Sequence, residues 1–292
     1  MKRRRRAAPQ LVRPSRGVPG AAIDHIASLA RLSWLLALAA AIASAMSTTG
    51  LPAQDSTRAR PRHTFLAIGA HAGDMEITTG ALLLKQHELG DRVVFLHLTL
   101  GEGGNPRTSP QQYGEQKRRE AEAVDSTLGA DVIFGPYRDG EIPNDEEARR
   151  YVADVIRQVK PTNIITHWRK SIHKDHAATS AIVDDAVLLA SLDGVKTAHP
   201  AYRGVRGIWY AENWEDPEGF DPYIYVDVSG YVERWRDAVS KYEFIGGKIS
   251  GFRYLDYYTA LATLRGAESR HEAAVAFDID DMGKRRTLDS VP

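Results

Sequence analysis

His71-x-x-Asp74 and His173-x-x-His176 are the two short spacings in this sequence that can bring imidazole and carboxylate groups to one point. None of the 292 residues is a cysteine. Disulfide scaffolds, thiolate zinc sites, iron–sulfur clusters and cysteine nucleophiles are therefore excluded, and a transition metal here must be held by His and carboxylate groups. Two or three His with one carboxylate and an open position for water is the make-up of a catalytic zinc site, which lowers the pKa of its water and polarises a carbonyl. Each pair alone has a plainer reading. His-x-x-Asp is usually a turn with an N-cap Asp, and His-x-x-His is usually a solvated helix face. What lifts the pairs above that reading is where the surrounding elements place them.

Thr64–Ala70 is a short apolar run and predicts a buried strand. A helix over Ile77–Leu89 follows, stopped by Gly90. The pattern then repeats: strand Arg92–Leu100, charged amphipathic helix Gln111–Leu128, strand Asp131–Phe134, helix Asp145–Val159, strand Thr162–Thr166, helix Asp175–Leu192. Strands alternating with helices predict a parallel sheet with right-handed crossovers, an α/β three-layer sandwich of Rossmann-like character. Ligands in such sheets sit at the carboxyl ends of the strands. The polar clusters fall there: His71 and Asp74 after the first strand, Thr99 to Glu102 after the second, Tyr137, Asp139 and Gly140 after the third, His167 to His176 after the fourth. Further on, Val205–Tyr210 and Tyr223–Val228 predict strands, and Ser229–Phe244 and Leu255–His271 predict helices.

These motifs, in this order, resemble the LmbE / PIG-L family of zinc-dependent N-acetyl-sugar deacetylases. The family's Ala-His-Pro-Asp-Asp-Glu appears as Ala70-His71-Ala72-Gly73-Asp74-Met75-Glu76, and its Thr-x-Gly-Glu as Thr99-Leu100-Gly101-Glu102. The Arg-x-x-Glu helix appears as Lys117-Arg118-Arg119-Glu120, the Asp-Gly as Asp139-Gly140, and the His-x-Asp-His as His173-Lys174-Asp175-His176. The resemblance covers about residues 63–190. It implies that His71, Asp74 and His176 hold Zn2+, with another divalent metal as the alternative. It implies that His173 faces the tetrahedral intermediate as electrophile or proton donor, and that Asp175 orients a site histidine. Asp139, Lys117, Arg118 and Glu102 would approach the substrate. One position departs. The family's general base is the first Asp of Asp-Asp, and Gly73 stands there. Glu76, Glu102 or Asp139 are the carboxylates that can substitute; hydratase-type chemistry on carboxylate substrates, or zinc-bearing carbohydrate binding with little turnover, are the alternatives.

Residues 1–60 hold ten basic and two acidic side chains, which leaves 28 basic against 36 acidic residues in 61–292. A body with that acidic excess is no candidate for nucleic-acid binding. Lys2 to Arg6, the apolar run Leu32 to Met46 and the small-x-small Ala43-Ser44-Ala45 have the parts of a secretory signal. Residues 1–46 are expected to act as a signal peptide or N-terminal anchor of an exported protein, with 47–62 a linker and 63–292 the enzymatic domain. Gly101–Pro106 lacks the frame of a phosphate-binding loop and predicts a rim of the pocket. The aromatic stretch Trp209 to Tyr225 is expected to pack or to wall a sugar site, with Glu212 and Asn213 within it. The expected activity is removal of an N-acetyl group from an amino sugar or glycoconjugate.

Overall fold

The computed structural model describes residues 62–285 apart from 217 and 282; the expected leader and linker lie outside the described residues, save Arg62. Seven strands and six α-helices make up the described chain, alternating through β5: β1 (Thr64–His71), α1 (Asp74–Glu88), β2 (Arg92–Thr99), α2 (Pro110–Leu128), β3 (Asp131–Phe134), α3 (Glu146–Val159), β4 (Asn163–His167), α4 (Lys174–Ser191), β5 (Gly207–Ala211), β6 (Ile224–Asp227), α5 (Val232–Val239), α6 (Tyr254–Ser269) and β7 (Ala274–Ile279). One sheet contains every strand, in the order β3-β2-β1-β4-β5-β7-β6. The first five strands run parallel, and β7 pairs antiparallel with both β5 and β6.

Both faces of this sheet are covered, which is why β1 reads as a continuous apolar run and not as an alternation. Phe65 and Ala67 face a core built with α1, α2, α5 and α6. Leu66, Ile68 and Ala70 face a second core built with α3 and α4. The three layers expected from the pattern are these. Local chemistry sets the helix ends. Ser109 caps α2 by accepting from the Gln112 amide, with Pro110 in its first turn. Asp145 caps α3 by accepting from the Ala148 amide, and the helix stops at Lys160 before Pro161.

Two elements differ from the sequence-based expectation. The helix expected over Ser229–Phe244 is only the eight residues of α5, followed by a 3₁₀ turn, Glu243–Gly246. Tyr242 between them is extended, and its hydroxyl is drawn 2.5 Å from Glu76 Oε1. That buried tertiary bond overrides the helical pattern. The strand β7 was not foreseen. Its pairing with β5 and β6 is long-range, and only that pairing separates Ala274–Ile279 from an ordinary apolar tail.

Candidate metal centre and substrate cavity

Parallel pairing of β1, β2, β3 and β4 brings their carboxyl ends to one edge. His71 is the last residue of β1, and Asp74 the first of α1. The turn between them needs Gly73, whose φ is +109°. From the far side, His173 caps α4 with its own ring, Nδ1 accepting from the Asp175 amide at 3.3 Å. His176 follows one turn in.

These turns meet. His71 Nδ1 lies 3.2 Å from Asp74 Oδ2, His176 Nε2 lies 3.3 Å from His71 Nδ1, and His176 Nε2 lies 3.4 Å from Asp74 Oδ2. Donor atoms about 2.0–2.1 Å from a tetrahedral ion stand about 3.3–3.4 Å apart. The three atoms therefore fit one divalent cation by both spacing and donor type. His167, at the end of β4, stands nearby, but its Nε2 accepts from the Ala70 amide at 3.0 Å and is not a free donor. Its Nε2 is 3.2 Å from Asp74 Oδ2 and its ring stacks on His176 with centroids 3.9 Å apart.

The far nitrogen of His71 is also occupied. Nε2 is 3.1 Å from Asp139 Oδ1 and 3.5 Å from Asp175 Oδ2, while the Gly140 amide donates to Asp175 Oδ2 at 2.7 Å. Carboxylates behind a ligating imidazole fix its orientation. Burial draws His71 down, but Asp74, Asp139 and Asp175 outweigh it and hold His71 well above the ordinary histidine value. Asp74 is held well below the usual carboxylate range: burial opposes this, and His176 and His71 overcome it. Burial, and then the His71 charge, push His173 down. With Nδ1 accepting, the neutral ring carries its proton on Nε2.

A cavity of about 180 Å³, open to solvent, stands over this centre. His71, Asp74, His173 and His176 line it, as do Asp139 and Lys117. The other two residues expected at the substrate do not. Lys117 and Arg118 are neighbours on α2, so their side chains leave the helix about 100° apart and only one can face the cavity. Arg118 lies instead over the Phe134 ring, 4.1 Å from its centroid. Glu102 accepts from the Asp139 amide at 2.9 Å, and the Gly103 amide donates to Asp139 Oδ2 at 2.9 Å. This reciprocal clasp ties the loop after β2 to the loop after β3, and Gly101 and Gly104 form the expected rim.

Of the three carboxylates expected to replace the base, only Asp139 lines the cavity. Glu76 is wholly buried behind the turn, accepting from the Gly73 amide at 3.1 Å and from Tyr242. Glu215, which no sequence signal marked, lines the cavity from the segment after β5 with Oε2 3.1 Å from His176 Nδ1. Burial, with Asp74 close by, pushes it up to about 7. No short motif surrounds Glu215; its neighbour Asn213 was noted only as part of the aromatic stretch. Asn213 and Trp214 do line the cavity, whereas Glu212 is paired with Arg265 at its Oε2 (2.8 Å). Phe244 and Tyr254 also line the cavity, Phe244 beside Gly73.

Comparison with known proteins agrees with this architecture. Residues 66–187 match the model of the PIG-L family, described as GlcNAc-PI de-N-acetylase. A 4-oxalmesaconate hydratase of Pseudomonas putida is 24% identical over 225 residues, covering 74% of this chain and 84% of that protein. The structure of a 4-carboxy-2-hydroxymuconate hydratase from Pseudomonas putida superposes with a TM-score of 0.69 at 20% identity, over 79% of this chain and all of that one. An N,N'-diacetylchitobiose deacetylase from Pyrococcus horikoshii superposes with a TM-score of 0.66 at 20% identity, over 75% of this chain and 84% of that one. At these identities the superpositions speak for the fold, which deacetylases and hydratases share. The match to the PIG-L family model thus spans the first four strands and helices of the described chain, the part that carries the candidate metal residues.

Proposed function

We propose that this chain is a zinc-dependent hydrolase that removes an N-acetyl group from an amino sugar or glycoconjugate. The convergence of His71 Nδ1, Asp74 Oδ2 and His176 Nε2 within 3.4 Å of one another, at the floor of an open cavity, carries the reading. A divalent cation held there supplies Lewis acidity to a carbonyl and lowers the pKa of a water. The chain's own residues do the rest. Asp175 and Asp139 hold the His71 ring in place. His173, neutral and carrying its proton on Nε2, donates to the developing oxyanion or to the departing amine. Asp139 and Glu215 are the cavity carboxylates outside the proposed ligand set, and one of them receives the proton that water gives up.

A second reading has its own observation. The position of the family's base is Gly73, and a Cβ built there would lie 2.8 Å from Phe244 Cζ. An aromatic ring thus occupies the space a carboxylate would need, so residue 73 supplies no base for amide cleavage. A hydratase is the alternative. The protein is further proposed to be exported through residues 1–46, with no nucleic-acid partner.

The deciding experiment assays the zinc-restored full chain for acetate released from N-acetylated amino sugars and for water added to unsaturated dicarboxylates. Acetate release that stops on chelation and returns with Zn2+ is the expected result. Water addition in its place selects the hydratase. Protein purified without stoichiometric divalent metal, with His71→Ala leaving turnover unchanged, overturns both.

A further inference from the structure

The peptide bond between Ala72 and Gly73 lies inside the metal turn, and two side chains hold it by opposite poles. Lys117 Nζ, from α2, donates to the Ala72 carbonyl at 2.5 Å. Glu76 Oε1, from α1, accepts from the Gly73 amide at 3.1 Å. Both side chains are buried. Each is held in turn by its surroundings. The rings of Phe244 and Tyr242 flank the ammonium, 3.9 and 4.4 Å from Nζ to their centroids. The Tyr242 hydroxyl donates to Glu76 Oε1 at 2.5 Å, and His97 Nε2 stands 3.5 Å from the same oxygen.

Gly73 makes such a grip necessary. Glycine takes either sign of φ at little cost, so residue 73 does not by itself fix the plane of the peptide before it. The adjoining polar groups have nearer partners. The His71 amide donates to Asp74 Oδ2 at 2.7 Å, the Ala72 amide donates to the Thr99 carbonyl at 3.2 Å, and the Gly73 carbonyl accepts from the Ile77 amide at 3.0 Å. Turning the 72–73 peptide over would aim its carbonyl at the Glu76 carboxylate and its N–H at the Lys117 ammonium. Both contacts are repulsive, and out of water little screens them.

We infer that Lys117 and Glu76 are positioning residues of the metal centre: by gripping the 72–73 peptide at both poles, they preset the turn that sets His71 against Asp74. The inference rests on the reading of those two residues as metal donors. It assigns the Lys117 ammonium to the turn and not to the substrate.

Zinc affinity of the metal-free full chain, measured by competition with a chromophoric chelator and without substrate, tests it. Exchange of the Gly73 amide is followed on the same samples. Lys117→Met is expected to weaken zinc binding roughly tenfold or more and to quicken Gly73 exchange. Glu76→Met acts on the same peptide, so the double variant loses little more than either single one. Lys117→Arg keeps a donor and Glu76→Gln an acceptor, and each recovers part of the affinity. Tyr242→Phe retains the ring over Lys117 and removes only the bond to Glu76; it lowers stability and keeps zinc affinity. If Lys117→Met does not fold, because the Glu76 charge is left buried without its counterpart, Lys117→Met with Glu76→Gln removes both charges and the same pole of the grip. Parent-like zinc affinity in the Lys117 variant overturns the proposal. So does a loss in Tyr242→Phe equal to that in Lys117→Met, which marks general destabilisation. A parent that binds no zinc overturns the metal reading and with it the positioning role, while Gly73 exchange still reports whether the grip exists.

Discussion

Gly73 is the residue on which the chemistry of this chain turns. Its φ of +109° is a conformation that L side chains rarely adopt, and its missing Cβ leaves room for Phe244. Restoring the family's carboxylate therefore meets two obstacles at once, backbone strain and a ring in the way. Gly73→Asp is expected to cost about 1–3 kcal/mol of stability. Phe244→Ala should relieve the steric part, so that the double variant is more stable than the sum of the two single effects by roughly 0.5 kcal/mol or more. Urea unfolding of the four proteins measures this. Additive effects would show that Phe244 is not the obstacle. His71 and Asp74 stand three residues apart, as do His173 and His176, so the pairing of the proposed metal donors was visible as spacing. Glu215 and Phe244 reach the same cavity from segments more than thirty residues beyond the last motif, and nothing local marks them.

Among the elements, α4 carries His176 and has an end that no local signal explains. Its C-cap, Leu192, is extended, and no glycine follows in the left-handed conformation usual there. Arg157 of α3 supplies the closure instead. Its buried guanidinium donates to the carbonyls of Leu189, Ala190, Leu192, Val195 and His199 and to the Thr197 hydroxyl, at 2.8–3.2 Å. One guanidinium thus adds a donor to five carbonyls, of which those of Leu189, Ala190, Leu192 and His199 also accept from the Leu192, Tyr202 and Val195 amides and the Thr197 hydroxyl. Arg157→Met keeps the apolar stem and removes the donors, and is expected to cost on the order of 3 kcal/mol. Hydrogen exchange should quicken in the last two turns of α4 at the same time. A variant within about 0.5 kcal/mol of the parent, with exchange unchanged, would mean that water replaces the guanidinium. In the sequence Arg157 is one charged residue in the amphipathic pattern of α3, and only the packing of α3 on α4 gives it this task.

For the whole molecule, a buried cluster behind the metal turn ties stability to pH. His97 Nε2 lies 3.3 Å from Asp125 Oδ2 and 3.5 Å from Glu76 Oε1, with all three side chains out of water. Burial, and then Glu76, push Asp125 up to about 7. Burial lowers His97, but Glu76 and Asp125 outweigh it and hold it above the ordinary histidine value. The unfolded chain releases the Asp125 proton near pH 4. From about pH 4 to 7 the folded protein retains a proton that the unfolded chain has lost, so stability falls as pH rises across that window. The raised His97 acts in the same direction, its contribution being lost as pH rises through its folded value. Asp125→Asn mimics the protonated acid at every pH. Relative to the parent it should gain on the order of 2 kcal/mol between pH 5 and pH 8 in urea unfolding. A difference independent of pH would remove Asp125 from the cause.

By itself the sequence determined the class of the fold and the His and Asp residues of the candidate metal centre. Both are written in short-range chemistry: apolar runs bounded by glycine and proline, and His and Asp three residues apart where strands give way to helices. The parallel sheet follows from that alternation, and with it the edge where the donors meet. The tertiary structure alone decided what surrounds them. It turned Lys117 inward and Arg118 away, engaged Glu102 with the Asp139 backbone, filled the space beside Gly73 with Phe244, and brought Glu215 to His176. It also broke the helix expected over Ser229–Phe244, where the buried bond from Tyr242 to Glu76 outweighs local helical preference. Contacts across thirty to more than a hundred and fifty residues have no periodicity to announce them, because they depend on how the layers pack and not on what adjoins a residue in the chain.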